Sequence, residues 1–139
     1  MTSTAEMIGV VGGGQLARML VQAAAVRGVP VAVQTPSEHD PARAGATRHV
    51  AADPRDVLGT RELAQSCRGV TFENEWVDIA GLRSLERQGV RFSPGLKALT
   101  PLVDKLSQRQ LLDELAIPAP PWCPLTDIPP SQPVLPRGW

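Results

Sequence analysis

An open α/β sandwich built on a parallel sheet is the fold class this sequence predicts. Three observations carry that prediction. Short apolar runs alternate with helical periodicities through residue 116, a triple-glycine turn joins the first run to the first helix, and hydrophobic residues make up 42% of the chain. The 139 residues suffice for one ordinary globular domain and not for two well-built ones.

Taken in order, Met7-Ile8-Gly9-Val10-Val11 is short, apolar and followed by glycines, as a buried parallel strand should be. Gly12-Gly13-Gly14 makes the turn. Leu16, Met19, Leu20, Ala23 and Ala24 then recur at helical spacing until Gly28 stops the helix. Residues 30–34 form a second strand centred on Val31-Ala32-Val33, and residues 35–45, with Pro36 and Pro41, form a loop. His49-Val50-Ala51 is a weaker third strand. A helix beginning at Val57 or Thr60 runs to Cys67, and Val70-Thr71-Phe72 is a fourth strand leading into Glu73-Asn74-Glu75. Residues 79–88 are helical, with Ile79, Leu82, Leu85 and Glu86 in period. Gly89 ends that helix, and Val90-Arg91-Phe92 is a fifth strand. Ser93-Pro94 opens a last helical region ending near Ala116, with Leu102, Val103, Leu106, Leu111, Leu112 and Leu115 as its apolar stripe. Eight of the 14 prolines fall between Pro118 and Pro136. Proline removes a donor and fixes φ, so this tail supports neither helix nor central strand.

The 14 basic and 14 acidic residues cancel. The chain lacks the positive field that non-specific nucleic-acid binding draws on. The polar stretch Met1 to Glu6 has no basic segment leading into an apolar run, and no stretch approaches the ~18 apolar residues of a membrane span. The expectation is a cytoplasmic protein with neither nucleic acid nor membrane as partner. Cys67 and Cys123 are far apart and outside any CxxC pattern, which fits reduced, partly buried thiols and no zinc site. His39 and His49 stand outside any metal-ligand pattern and read as surface or structural residues. Trp76 and Trp122 read as packing residues.

Gly12-x-Gly14-x-x-Ala17 follows a strand and opens a helix. That context suits a phosphate-binding turn, because glycines admit close approach and the first helical amides lack partners. It also suits a turn that merely packs helix on strand. A dinucleotide site places an acid about 20 residues onward, at the end of the second strand. Here that place reads Val33-Gln34-Thr35-Pro36, and Arg43 lies too deep in the loop to serve a 2′-phosphate. No Gly-Lys-Ser/Thr follows the glycines, so a Walker loop is absent too.

The run Gly12-Gly13-Gly14-Gln15-Leu16-Ala17-Arg18-Met19 resembles the opening of carboxyaminoimidazole ribonucleotide synthase, an ATP-grasp family of purine biosynthesis that usually has glycine where Ala17 stands. Thr71-Phe72-Glu73-Asn74-Glu75 is similar to the family's strand-end Glu-x-Glu segment, although Trp76 stands where an asparagine is common. Asp104-Lys105-Leu106-Ser107-Gln108-Arg109-Gln110 and Leu115-Ala116-Ile117-Pro118-Ala119-Pro120 resemble two later family segments, the second with alanine at its usual glycine. The four matches fall in order over about residues 7 to 122.

The resemblance implies a Rossmann-like pre-ATP-grasp domain with its linker helix over residues 1–117. Residues 118–139 would be a proline-rich tail or the truncated start of an ATP-grasp domain. It implies an ATP-dependent carbon–nitrogen ligase in which ATP, with Mg2+, and bicarbonate carboxylate aminoimidazole ribonucleotide. Gly13, Gly14, Gln15, Leu16 and Glu73 would bind that ribonucleotide, and Lys105 would reach toward ATP. No catalytic residue and no metal ligand is implied on this stretch, so tight binding of ATP or Mg2+ and synthase activity are not expected of it. Without the resemblance, Glu73 reads as a solvated strand-end acid and Lys105 as an exposed helix lysine. Glu75 receives no role. Homodimers are common in the family, and the residues that mediate them need not lie here. Two alternatives stay open. One is the equivalent domain of a glycinamide ribonucleotide transformylase, which usually has Gly-Glu-Leu at the turn, or of a biotin carboxylase. The other is a non-enzymatic binding or dimerisation module.

Overall fold

A computed structural model describes residues 7–127. The expectations for Met1 to Glu6, and for the tail beyond residue 127, concern residues outside those described. The chain divides into two compact units after Thr100.

The first unit is a parallel sheet covered by helices. Its strands are β1 (Ile8–Val11), β2 (Val31–Gln34), β3 (Arg48–Val50) and β4 (Gly69–Phe72), in the order β3-β2-β1-β4. β1 pairs with β2 in the register Ile8↔Val31 and with β4 in the register Ile8↔Gly69. The apolar runs are buried, as expected of a central parallel sheet: all of β2, and Gly9 to Val11 of β1. α1 (Gln15–Val26), α2 (Val57–Ala64) and α3 (Ile79–Arg87) supply the crossovers. Gly28, at φ +67°, closes α1: its amide reaches Ala25 O and the Val29 amide reaches Ala24 O. The side chains of Asp56 and Asp78 cap α2 and α3, accepting from Leu58 N at 2.9 Å and from Gly81 N at 3.1 Å.

Four expectations need correction. The third strand sits one residue earlier, at Arg48–Val50. The fifth strand is reduced to a single parallel bridge between Phe92 and Val70, held by Val70 N to Arg91 O and Ser93 N to Val70 O. Pro94 has no amide to extend that ladder, and Phe92 instead stacks on Phe72 with centroids 5.6 Å apart. The last helical region is broken into α4 (Leu96–Leu99), a 3-10 turn (Thr100–Leu102) containing Pro101, and α5 (Lys105–Glu114). Finally, the core face of α1 is Ala17, Val21 and partly buried Ala24, packed with Val10, Val31, Val33 and Ala42. Leu16, Met19 and Leu20 are exposed. Outside the polar stripe of Gln15, Arg18 and Gln22 the rest of α1 is apolar, so periodicity does not choose which part of that wide arc meets the sheet. The sheet takes the narrower side chains, which let the helix lie close.

In the second unit Asp104 caps α5, its Oδ2 accepting from the Ser107 amide and hydroxyl, each at 2.8 Å. The hydrogen bonds Ala116 N to Asp113 O and Ile117 N to Leu112 O close the helix around Ala116, which has φ +52°. No α5 residue is buried, so its apolar stripe is not a core stripe. Residues 118–124, with prolines at 118, 120, 121 and 124, form neither helix nor strand.

Candidate functional site

β1 leads through α1 to β2 on one side, while β4, reached from β3, lies on the other side of β1. The strand order therefore reverses between β1 and β4. In open α/β sheets the crevice at the carboxyl ends of such a strand pair is where ligands bind. The glycine turn leaves β1 there and Glu73 leaves β4.

Gly12 has φ +116°, a conformation L side chains rarely adopt, and its amide donates to Gln34 O at 2.9 Å. A Cβ at Gly12 or Gly14 would overlap the Glu73 carboxylate, and one at Gly13 would overlap the Thr35 hydroxyl. The three glycines thus let two neighbouring side chains close on the turn. Gly14 begins α1 without a side-chain cap of its own. Glu73 supplies one from 59 residues away: its Oε2 accepts from Gly14 N at 2.8 Å, and its Oε1 lies 3.4 Å from Ala17 N. The Glu73 amide donates to Val11 O at 2.9 Å, which pins this acid to the end of β1. A carboxylate at a helix start is favoured by the helix dipole as well as by the free amides. Its two oxygens offer about four lone-pair directions, so it keeps capacity for donors from a ligand.

Gln15 and Leu16 are exposed on the first turn of α1, beside this cap. Gly13, Gly14, Gln15, Leu16 and Glu73 are therefore gathered at one end of the sheet, while Lys105 belongs to the second unit. Lys105 is exposed, with Nζ 3.4 Å from Gln108 Oε1. The strand-end place of a dinucleotide-site acid is held by Gln34, which is fully buried. Its Nε2 donates to Asp53 O at 2.7 Å and Asp56 O at 3.0 Å, and its Oε1 accepts from Thr60 at 2.8 Å. Every hydrogen-bonding group of that amide is thus used in joining β2 to α2. Arg43 pairs with Glu38 at 3.3 Å. The Thr35 hydroxyl donates to Asp40, and the Thr35 carbonyl lies 2.9 Å from His49 Nε2, so His49 is structural.

Trp76 departs from its packing expectation, being 73% exposed. The Asn74 side chain accepts from its backbone amide at 3.0 Å, and the next residue, Val77, is buried. Trp122 donates from Nε1 to Asp113 at 3.0 Å. Both cysteines are free. Cys123 is exposed, whereas Cys67 is half-buried, and burial pushes its thiol pKa up. A cleft of about 430 Å³ between α1 and residues 41–45 is lined by Arg18, Val21, Gln22 and Ala42, and neither Glu73 nor the glycine turn borders it. Among the described residues no helix is long and apolar enough to cross a membrane.

An open parallel sheet with a glycine turn and a strand-end carboxylate at its switch point defines a Rossmann-like domain. The model of the ribonucleotide synthetase preATP-grasp domain matches residues 5–101, and the chain belongs to that family. It is 48% identical over 129 residues to an N5-carboxyaminoimidazole ribonucleotide synthase of Synechocystis, covering 93% of this chain and 33% of that protein. The crystal structure of the corresponding synthetase from Thermotoga maritima matches with a TM-score of 0.75 at 29% identity, over 84% of this chain and 32% of that one. A synthase from Aspergillus clavatus, in complex with ADP and 5-aminoimidazole ribonucleotide, matches with a TM-score of 0.73 at 31% identity, over 84% and 31%. The chain thus spans about a third of the length of the relatives it matches.

Proposed function

We propose that this chain is the ribonucleotide-binding, pre-ATP-grasp part of an ATP-dependent carboxylase that converts 5-aminoimidazole ribonucleotide and bicarbonate to N5-carboxyaminoimidazole ribonucleotide. The carrying observation is the carboxylate of Glu73, fixed on the Gly14 amide at the sheet's switch point. An ionised carboxylate only accepts hydrogen bonds. The groups it recognises are therefore donors, the ribose hydroxyls or the amine, and the phosphate lies away from it. Gly13 and Gly14 give Glu73 and Thr35 room to close on the turn, and Gln15 and Leu16 border the same place. The relatives' names supply the reaction class, and the Aspergillus complex supplies the substrate and nucleotide.

ATP with magnesium needs carboxylates converging on the metal and cations on the phosphates. Among the described residues no group of three or more His, Cys, Asp or Glu is placed to hold a metal, and Lys105 is one exposed cation. The part of the reaction assigned to this chain is holding and orienting the ribonucleotide.

Calorimetric titration with 5-aminoimidazole ribonucleotide tests the reading. Binding is expected, and Glu73→Gln should weaken it by about 10- to 100-fold, the effect of losing a hydrogen bond to a charged partner. Equal affinities of the two proteins would sink the assignment of Glu73.

A further inference from the structure

Trp76 is a large aromatic side chain with 73% of its surface in water, on the loop that leaves β4 at the site's end of the sheet. The loop around it is tied down. Glu73 N is bonded to Val11 O, Trp76 N to the Asn74 side chain at 3.0 Å, and Val77 N to Glu75 O at 2.9 Å. Val77, the next residue, is buried at 8% exposure. The backbone therefore turns the small valine inward and the indole outward, the reverse of what packing alone would select. Leu16, on the first turn of α1, is 59% exposed, so both elements that lead away from the crevice carry an exposed apolar side chain.

We infer that Trp76 is a stacking platform for the heteroaromatic ring of the bound ribonucleotide, with Glu73 taking hydrogen-bond donors of the same ligand. The inference rests on the ribonucleotide reading above and extends it to the ring. An indole face set on a fixed loop gains contact with a flat electron-rich ring without ordering new backbone, and such stacking tolerates variation in ring substituents.

The test titrates the full chain and its Trp76→Ala, Trp76→Phe and Glu73→Gln variants with two probes. These are 5-aminoimidazole ribonucleotide and ribose 5-phosphate, which lacks the ring. Trp76→Ala should lower affinity for the ribonucleotide by about tenfold or more and leave ribose 5-phosphate unchanged, while Trp76→Phe keeps most of the affinity. A Trp76→Ala protein that binds the ribonucleotide like the parent overturns the inference, as does equal weakening for both probes. If Glu73→Gln weakens both probes and Trp76→Ala neither, the ribonucleotide reading stands and the platform falls. If the parent chain binds neither probe, both fall together.

Discussion

The starts of the four longer helices of this protein are completed in two ways. α2, α3 and α5 are each capped by the aspartate that immediately precedes them, Asp56, Asp78 and Asp104. α1 begins at a bare glycine and takes its cap from Glu73, on another strand and 59 residues away. A local cap stabilises its own helix and is written in neighbouring residues. A remote cap requires two strands to be registered before it forms, and it leaves an acid poised at the sheet's end. The difference separates helices whose caps serve stability alone from the one whose cap is also the carboxylate proposed to bind ligand.

The remote cap is most vulnerable at Gly12. Gly12→Ala imposes a positive φ on a residue with a Cβ and drives that Cβ into the Glu73 carboxylate. A loss of about 2–3 kcal/mol is expected in urea denaturation. Glu73→Ala leaves the Gly14 amide without its partner and should destabilise by about 1–2 kcal/mol while removing ribonucleotide affinity. Asp78→Ala is its counterpart: about 1 kcal/mol lost, with calorimetric affinity unchanged. Should Asp78→Ala weaken the ligand as Glu73→Ala does, the distinction between the two kinds of cap collapses.

α1 and α3 close on Gly28 and Gly89, at φ +67° and +96°, whereas α5 closes on Ala116 at +52°. Left-handed backbone disfavours a Cβ by about 1 kcal/mol, so Ala116→Gly should slow amide exchange in α5 by up to about fivefold. The smallest effect concerns pH. Hydrogen bonds from the Ser107 amide and hydroxyl, and from the Leu106 amide, hold the Asp104 carboxyl below the usual carboxylate range. With the folded value below the unfolded value of about 3.9, the cap's contribution is complete above that pH and is lost as pH falls through the depressed value. The Ser107 amide shift, followed by NMR, should titrate in that acid window, and Asp104→Asn should flatten it.

Alternation of apolar runs and helices was enough to read the parallel α/β class and most of the elements, because burial in a parallel sheet demands both periods at once. What escaped depended on contacts between distant residues. The core face of α1 is set by how closely the sheet approaches Ala17 and Val21, and a helix whose apolar arc is this wide cannot display that choice. Val90-Arg91-Phe92 had the composition of a strand, but its ladder stops at one bridge. The exposure of Trp76 follows from the turn at Asn74 and the burial of Val77, neither of which the aromatic itself announces. Glu73 stood out through resemblance, whereas its bond to Gly14 became visible only with β1 and β4 side by side.

Ala17 gives the close packing of α1 a further consequence. This residue has no exposed surface, lies against the sheet core, and has its amide 3.4 Å from Glu73. Its side chain is therefore a spacer that fixes the height of the helix above the sheet and the reach of the carboxylate in one dimension. Drift at position 17 is read out twice: any side chain much larger than a methyl group lifts the helix and pulls its first-turn amides from the Glu73 carboxylate in the same step.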